Sequence, residues 1–445
     1  MKKLVIGALA AVLVVVGLGL LARLVGIRDD RQMGRPSAVV APVPVFEKLE
    51  FEMAYRGLTG GEDEVRYNSY WGFGGGGDET NPFIEAVKAQ TKDVTLVYNP
   101  RFKGAEWALV EHKGKDVKAL YFDLNADGQL TDDERVTSFR RSEGSPDAVE
   151  CYTPDFLIKT EEGREVKFRA MLQVAFYGGD QPNCMWSPAC VLEGHARANG
   201  QPVTLLLYTN GFDGEFDSFG RSMYSLQAGA QATGRYLGRH TLSKVVSENG
   251  CFYKLRIEHD PNTQCVAKVV VEKDVSPTGR LQVRLLGDAN LKVRLNNATL
   301  KGAQDEGIHF NVGADVSNLP EGDYRMVSGY IIYGPDDQYR WNTSFKDGPQ
   351  IAIEPNKTFT MELGRPRMTV LAVDAKDRYS AEPKEKAAYA KGDVIYITPK
   401  VVGEAGEVYG RFSNHQNNRS DDAKPVVEIC DAAGKRVVSQ TLEYG

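Results

Sequence analysis

Residues 117–135 read VKALYFDLNADGQLTDDER, and this stretch sets the local architecture around it. The run from Val117 to Phe122 has the composition of a β-strand, because valine, leucine, tyrosine and phenylalanine pack well on a pleated sheet. A polar turn interrupts the run and ends in a Thr131-x-x-Glu134 helix-start pattern. Val136 and the residues after it are poor helix formers. The stretch therefore predicts a strand, a loop and about one turn of helix.

The loop between Asp123 and Glu134 carries oxygen-bearing side chains at alternate positions. Gly128 permits a sharp turn in its middle, and Leu130 offers an apolar anchor. The stretch matches every fixed position of the D-x-[DN]-x-[DN]-G-x5-E pattern and so resembles the EF-hand calcium loop. Calcium takes about six to eight oxygen ligands. The resemblance implies a Ca²⁺ ion held by Asp123, Asn125, Asp127, Gln129 through its backbone carbonyl, Thr131 and Glu134.

The same residues also fit a structure without an ion, in which a solvated Asx turn leads into a capped helix. A calcium sensor needs two helices that open on binding, whereas here a strand precedes the loop. The loop is similar instead to the strand–loop–helix calcium sites of bacterial surface proteins. That similarity implies an ion with a structural role.

A second stretch, LLLYTNGFDGEFDSFG at 205–220, echoes the first. Aligning Gly214 with Gly128 places Thr209 and Gly220 at the first and last ligand positions, where a carboxylate is needed. We expect a turn from an internal repeat that has lost its ion site, rather than a second calcium site.

Strand-like runs bounded by Gly, Asn, Asp and Pro fill most of the remaining chain, which predicts a mainly β protein. One helix is predicted at 81–91, where Pro82 suits the first helical position. The stretch SPTG at 276–279 marks a boundary. The expected order is a membrane anchor or signal segment at 1–27, a linker at 28–45, a β-rich calcium-binding domain at 46–275, and two small β-sandwich modules at 281–365 and 366–445.

The first of these two modules carries a corner, LPEGDYRM at 319–326, in which a proline and a glycine precede an aromatic strand. It resembles the corner of bacterial transthyretin-like and carboxypeptidase-regulatory-like sandwich domains. The last block consists of several short strands and has the size of an immunoglobulin-like sandwich.

An apolar run from Leu4 to Leu21 follows two lysines. At 1.5 Å per residue it is about 27 Å long, close to the thickness of the hydrocarbon core. Its length favours an uncleaved signal anchor over a cleaved signal, and both remain open. Four arginines after the run favour a cytoplasmic body by the positive-inside rule, but long domains translocate largely regardless of charge. We expect a membrane-anchored protein with its body in the periplasm or outside the cell.

Six cysteines are spaced without a C-x-x-C pair, which disfavours zinc and redox sites. Cys184 with Cys190, and Cys251 with Cys265, are each close enough in sequence to close a local disulfide in an oxidising compartment. The alternative for each pair is two buried thiols.

Composition excludes some functions. The net charge is −6 and no Lys/Arg cluster supplies a basic face, so no nucleic-acid partner is expected. The histidines are scattered without a metal-binding pair, and no G-x-S-x-G stretch is present. The leading hypothesis is a calcium-stabilised protein with a structural, adhesive or ligand-binding role, meeting a polysaccharide or protein at the cell surface. The alternative is a hydrolase of polysaccharide or peptide with accessory β-sandwiches.

Overall fold

A computed structural model describes residues 42–58, 70–74, 82–91, 93–98, 107–125, 127–141, 148–176, 182–209, 211–228, 240–286, 292–313, 315–334, 341–365, 367–374, 395–410, 413–414, 426–430 and 433–441. The chain divides into a first unit, Pro36–Val275, and a second unit that contains Ser276–Gly445. Both are built mainly from β-strands, so the predicted β class is confirmed. The apolar run at 4–21 lies outside the described residues. Within the described part of the chain, no helix has the length and apolar character needed to cross a membrane.

The first unit contains twenty strands, one α-helix and a short 3₁₀ helix among its described residues. In chain order they are β1 Lys48–Glu52, β2 Ala54–Gly57, β3 Tyr70–Gly74, α1 Pro82–Gln90, β4 Val94–Tyr98, β5 Trp107–Lys113, β6 Asp116–Phe122, the 3₁₀ helix Asp132–Glu134, β7 Arg135–Val136, β8 Arg140–Arg141, β9 Ala148–Tyr152, β10 Phe156–Lys159, β11 Glu165–Phe168, β12 Ala170–Phe176, β13 Pro182–Pro188, β14 Cys190–Ala198, β15 Gln201–Tyr208, β16 Met223–Ala228, β17 His240–Thr241, β18 Val245–Glu248, β19 Cys251–His259 and β20 Val266–Lys273.

The second unit contains fourteen strands among its described residues. They are β21 Thr278–Leu286, β22 Lys292–Gly302, β23 His309–Val312, β24 Ser317–Pro320, β25 Gly322–Gly334, β26 Trp341–Lys346, β27 Gln350–Ile353, β28 Thr358–Gly364, β29 Arg367–Asp374, β30 Ile395–Val402, β31 Val408–Tyr409, β32 Ser413–Asn414, β33 Val426–Cys430 and β34 Arg436–Thr441.

The first unit contains a nine-stranded antiparallel sheet with the strand order β7-β6-β5-β4-β3-β13-β12-β9-β8. All seven residues of its inner strand β12 are buried, which is why AMLQVAF is an apolar run with only one polar residue. Helix α1 packs on this sheet and buries Phe83, Ile84 and Val87 against β5 and β6. The helix begins at Pro82, as predicted, because proline has no amide hydrogen to leave unpaired there.

Two smaller sheets share a single stretch of chain at 48–57. Strand β1 pairs with β20 in the order β1-β20-β19-β18, and β2 pairs with β14 in the order β17-β16-β15-β14-β2. Gly194 on β14 lets this stretch pack close to that strand, because a β-carbon at Gly194 would lie 2.8 Å from the Phe51 Cβ and 2.7 Å from the Met53 Sδ. A continuous apolar cluster that includes Phe51, Trp186 and Leu207 fills the interior of the first unit.

The second unit combines a three-stranded sheet, β24-β21-β28, with a nine-stranded sheet around β22, β25 and β26. Strands β21 and β28 run parallel, from Arg280 opposite Thr358 to Leu286 opposite Gly364. Strands β30 and β31 lie beyond the boundary predicted at residue 365. They nevertheless belong to the same sheet as β26, because Phe345 pairs with Tyr409.

Candidate metal centre

The twelve-residue loop is the connection of a β-hairpin. Asp123 directly follows β6, and Glu134 directly precedes β7. The two strands pair antiparallel, with Leu120 opposite Val136, so the sheet itself brings the two ends of the loop together. The predicted turn of helix is a three-residue 3₁₀ turn, Asp132–Glu134, which forms the end of the loop itself. It stops because Val136 and the residues around it favour the extended backbone of β7.

Three carboxylates of this loop converge. The ligand atoms of Asp123, Asp127 and Glu134 all lie within 4.8 Å of one another. Oxygens on opposite sides of a calcium ion, each at about 2.3–2.6 Å from it, are separated by a similar distance. No second group of three such ligand residues occurs among the residues that the structure describes.

Asp123 is buried, with 9% of its surface exposed. Its Oδ2 atom accepts a hydrogen bond from the Gly128 amide at 3.2 Å, whereas its Oδ1 atom is buried and accepts none. Burial raises the pKa of this carboxyl, the nearby Glu134 raises it further, and the Gly128 amide opposes the shift. A buried carboxylate oxygen without a partner destabilises the fold, and a bound cation would remove that cost.

Glu134 is held at the opposite end of the loop by neutral donors, and its side chain is 1% exposed. The Leu124 amide donates to Oε1 at 3.1 Å, and the Thr131 amide donates to Oε2 at 2.9 Å. The Thr131 hydroxyl oxygen also lies 2.9 Å from Oε2. The capping interaction is therefore present together with the acidic cluster, and it does not by itself exclude an ion. The Oε1 atom, which accepts one hydrogen bond, retains a lone pair that a cation can use.

The exposed half of the loop is ordered by its own side chains. Asn125 Oδ1 accepts from the Asp127 amide at 2.9 Å, and Asp127 Oδ1 accepts from the Gln129 amide at 2.7 Å. Asn125 Nδ2 also donates to Asp127 Oδ2 at 3.0 Å. The hydroxyl of Thr131 donates to Asp133 Oδ1 at 2.6 Å, a neighbour that the loop pattern does not specify. Each proposed side-chain ligand thus keeps an oxygen with unused lone pairs.

Helix α1 supports the loop from outside it. Gly128 has a φ of +70°, and a β-carbon at this position would lie 3.4 Å from the Pro82 Cβ. Leu130 packs against the cluster formed by Phe83, Ile84 and their neighbours on β5 and β6. The sequence gives no signal for this contact, because it joins segments far apart in the chain.

The second loop, in the stretch 205–220, contains a similar turn, but most of its carboxylates form ion pairs within the protein. Gly214 has a φ of +71°, close to that of Gly128, and the hydroxyl of Thr209 donates to Asp213 Oδ1 at 3.1 Å. Its other carboxylates are paired with guanidinium groups: Glu215 with Arg221, and Asp217 with Arg164 at 3.1 Å. His259 also contacts Asp217, at 2.6 Å. The guanidinium groups of Arg164 and Arg221 thus neutralise the charges of these carboxylates.

The five cysteines whose side chains the structure describes are all free thiols. Cys251 begins β19 while Cys265 adjoins the start of β20, so the hairpin register places them at opposite ends of a pair of strands. About eight residues at roughly 3.3 Å each separate them, far more than a disulfide spans. Cys184 and Cys190 lie in strands of different sheets. Burial raises the pKa of the Cys190 thiol to about 12, as expected for a buried thiol.

Comparisons with known proteins give no assignment. No protein-family model and no curated protein matches the chain. A leucine-rich repeat protein from Bacteroides thetaiotaomicron matches in part, with 11% sequence identity and a TM-score of 0.16. The match covers 46% of this chain and 23% of that protein.

Proposed function

We propose that the first unit binds one Ca²⁺ ion in the loop Asp123–Glu134, and that the ion stabilises the fold. The observation that carries the proposal is the buried Asp123 Oδ1 atom, which has no hydrogen-bond partner and belongs to a group of three converging carboxylates. A hydrogen-bonded Asx turn without an ion would leave this oxygen unpaired and would not require Asp123 to be charged.

The donor set supports calcium over other divalent ions. All six proposed ligands offer oxygen, and the group contains no histidine or cysteine, which zinc prefers. Magnesium demands nearly ideal octahedral geometry and retains several waters, so a loop that offers many protein oxygens suits calcium better. Asp123, Asp127 and Glu134 would bind through carboxylates, Asn125 and Thr131 through side-chain oxygens, and Gln129 through its backbone carbonyl.

The position of the loop supports a structural role. An ion between Asp123 and Glu134 would tie the end of β6 to the start of β7 and would hold Leu130 against α1. The loop ends in a single 3₁₀ turn, and the strand β7 follows it directly, so the helix pair that opens in calcium sensors is not available at this loop.

The wider proposal is a membrane-anchored protein with its body in the periplasm or outside the cell. The apolar run at 4–21 supports the anchor, and the calcium loop supports the location, because extracellular modules can use ions at about 10⁻⁴–10⁻³ M. The second unit would supply β-sandwich modules that meet a polysaccharide or a protein. The hydrolase alternative stays a prediction.

The test is isothermal titration calorimetry of the ion-free full chain with CaCl₂, beside Asp123→Asn and the matched Asp116→Asn. Asp116 is an exposed residue at the start of the same strand, outside the loop. We expect one binding event in the wild type and in Asp116→Asn, and a loss of at least about 100-fold in affinity in Asp123→Asn. Wild-type protein that binds no calcium up to about 10 mM would contradict the proposal.

A further inference from the structure

The segment Pro42–Glu47, here called the N-terminal strap, lies against the first unit before β1 begins. Pro42 and Pro44 lack amide hydrogens and restrict the backbone to extended conformations, so the strap is poorly suited to pairing in a sheet. Among the described residues, the first strand begins at Lys48. The carbonyl groups of the strap must therefore find donors outside a β-ladder.

Two asparagine side chains supply those donors. Asn199 Nδ2 donates to the Val45 carbonyl at 3.1 Å, and Asn249 Nδ2 donates to the Val43 carbonyl. Each asparagine is the first residue of an Asn-Gly turn, with φ values of 50° and 49°. One turn joins β14 to β15 and the other joins β18 to β19, so two hairpins from different sheets bind carbonyls two residues apart on one segment.

Apolar contacts fix the same segment. The side chains of Val43 and Phe46 are each only 6% exposed. The Phe46 ring stacks on Tyr253, with ring centroids 4.4 Å apart and an angle of 23° between the planes. The amide of Lys273 donates to the Glu47 carbonyl at 2.8 Å. The strap then continues into β1, which pairs with β20.

We propose that the two Asn-Gly turns form a binding site for an extended, proline-containing peptide, and that its occupant is the chain's own N-terminal strap. The site recognises two backbone carbonyls and one aromatic side chain. The bound strap is an intramolecular latch, which ties residues 42–47 to the first unit. Opening it would free about six residues, or roughly 20 Å of chain. The latch uses none of the calcium ligands and does not depend on the proposed ion.

Chymotrypsin cleavage after Phe46 in the full chain tests the latch, since this buried residue is cut only when the strap opens. The variants are Asn199→Gly, Asn249→Gly and the double variant, because glycine keeps the positive φ and removes only the side-chain donor. Losing one hydrogen bond should raise the open population about fivefold, so cleavage should accelerate about fivefold in each single variant and about 25-fold in the double variant.

The matched control is Asn356→Gly, at a turn of the second unit where φ is 57°; its cleavage after Phe46 should equal that of the wild type. A double variant that is cut after Phe46 within twofold of the wild-type rate would overturn the proposal. If the double variant is cut throughout the chain, the single variant Asn199→Asp replaces it. Aspartate has the same shape but no amide donor, and unaltered cleavage after Phe46 in a folded Asn199→Asp protein would also overturn the latch.

Discussion

Asp123 and Glu134 lie at the two ends of one loop, with their ligand atoms within 4.8 Å of each other. Among the residues that the structure describes, no cation forms a salt bridge with either one. Their closeness follows from the pairing of β6 with β7, and it sets two negative charges side by side in a buried position. Repulsion between these two carboxylates destabilises the folded state, and a divalent cation can offset that repulsion.

The first prediction is that Asp123→Asn has opposite effects on stability and on calcium binding. Without calcium, the change removes a buried charge whose Oδ1 atom is unpaired, so the free energy of unfolding should rise by about 1–2 kcal/mol. With calcium in excess, the wild type should be the more stable protein, because only it gains about 2.7 kcal/mol at 100 times its Kd.

Thermal melting of both proteins, once with a chelator and once with calcium, tests whether their order of stability reverses. Asp116→Asn should melt like the wild type under both conditions. If Asp123→Asn were less stable than the wild type in the chelator, the buried oxygen would have a protein partner and the argument for the ion would fail.

The second prediction concerns pH. Burial and Glu134 raise the pKa of Asp123 above its ordinary value, so in the absence of calcium the folded state binds this proton more readily than the unfolded state. The ion-free protein should therefore gain stability from this group as the pH falls through the raised pKa towards the ordinary value near 3.8.

The measurement is the difference between the melting temperatures of the wild type and Asp123→Asn, recorded in a chelator as the pH is lowered. The other carboxylates titrate in both proteins, so their contribution to the pH dependence cancels in this difference. We expect the difference to shift in favour of the wild type as the pH falls. Calcium affinity should decrease over the same range because protons compete for the ligand. A difference that is independent of pH would show that Asp123 has no raised pKa.

The third prediction is that Gly128→Ala impairs both folding and calcium binding. Alanine at a φ of +70° costs about 1–2 kcal/mol, and its β-carbon would meet Pro82 at 3.4 Å. The matched control is Gly114→Ala, where φ is +57° and nothing lies within 4 Å of the new β-carbon. Urea denaturation and calcium titration should show similar destabilisation for the two variants but a weakened calcium affinity only for Gly128→Ala.

The fourth prediction is that Arg164 stabilises the second loop without any ion. Its guanidinium group and Asp217 are both largely buried, so Arg164→Met should leave a carboxylate without its arginine and should cost roughly 2–4 kcal/mol. Arg164→Lys keeps the charge but not the two-pronged contact, and should cost less. Denaturation with and without calcium should give the same loss, whereas restoration of the lost stability by calcium would mean that this loop also binds an ion.

Several features were predictable because they depend on neighbours in the sequence. The β class follows from short apolar runs between turn residues, and the start of α1 follows from Pro82. The proposed loop ligands follow from a local spacing. The short helical turn was also predictable, because Val136 and the residues after it are poor helix formers. The pairing of Val136 with Leu120 in β6 was not, because it joins two strands across the loop.

The sequence by itself determined which oxygen-bearing side chains stand at the loop positions, since ligand spacing is a property of consecutive residues. Only the tertiary structure decided that Asp123 is buried with one oxygen unpaired, that α1 supports the loop through Pro82 and through its contact with Leu130, and that Arg164 and Arg221 pair with carboxylates of the second loop. It also separated Cys251 from Cys265 by the length of a hairpin. Burial and strand register arise from contacts between distant segments, and no local pattern specifies them.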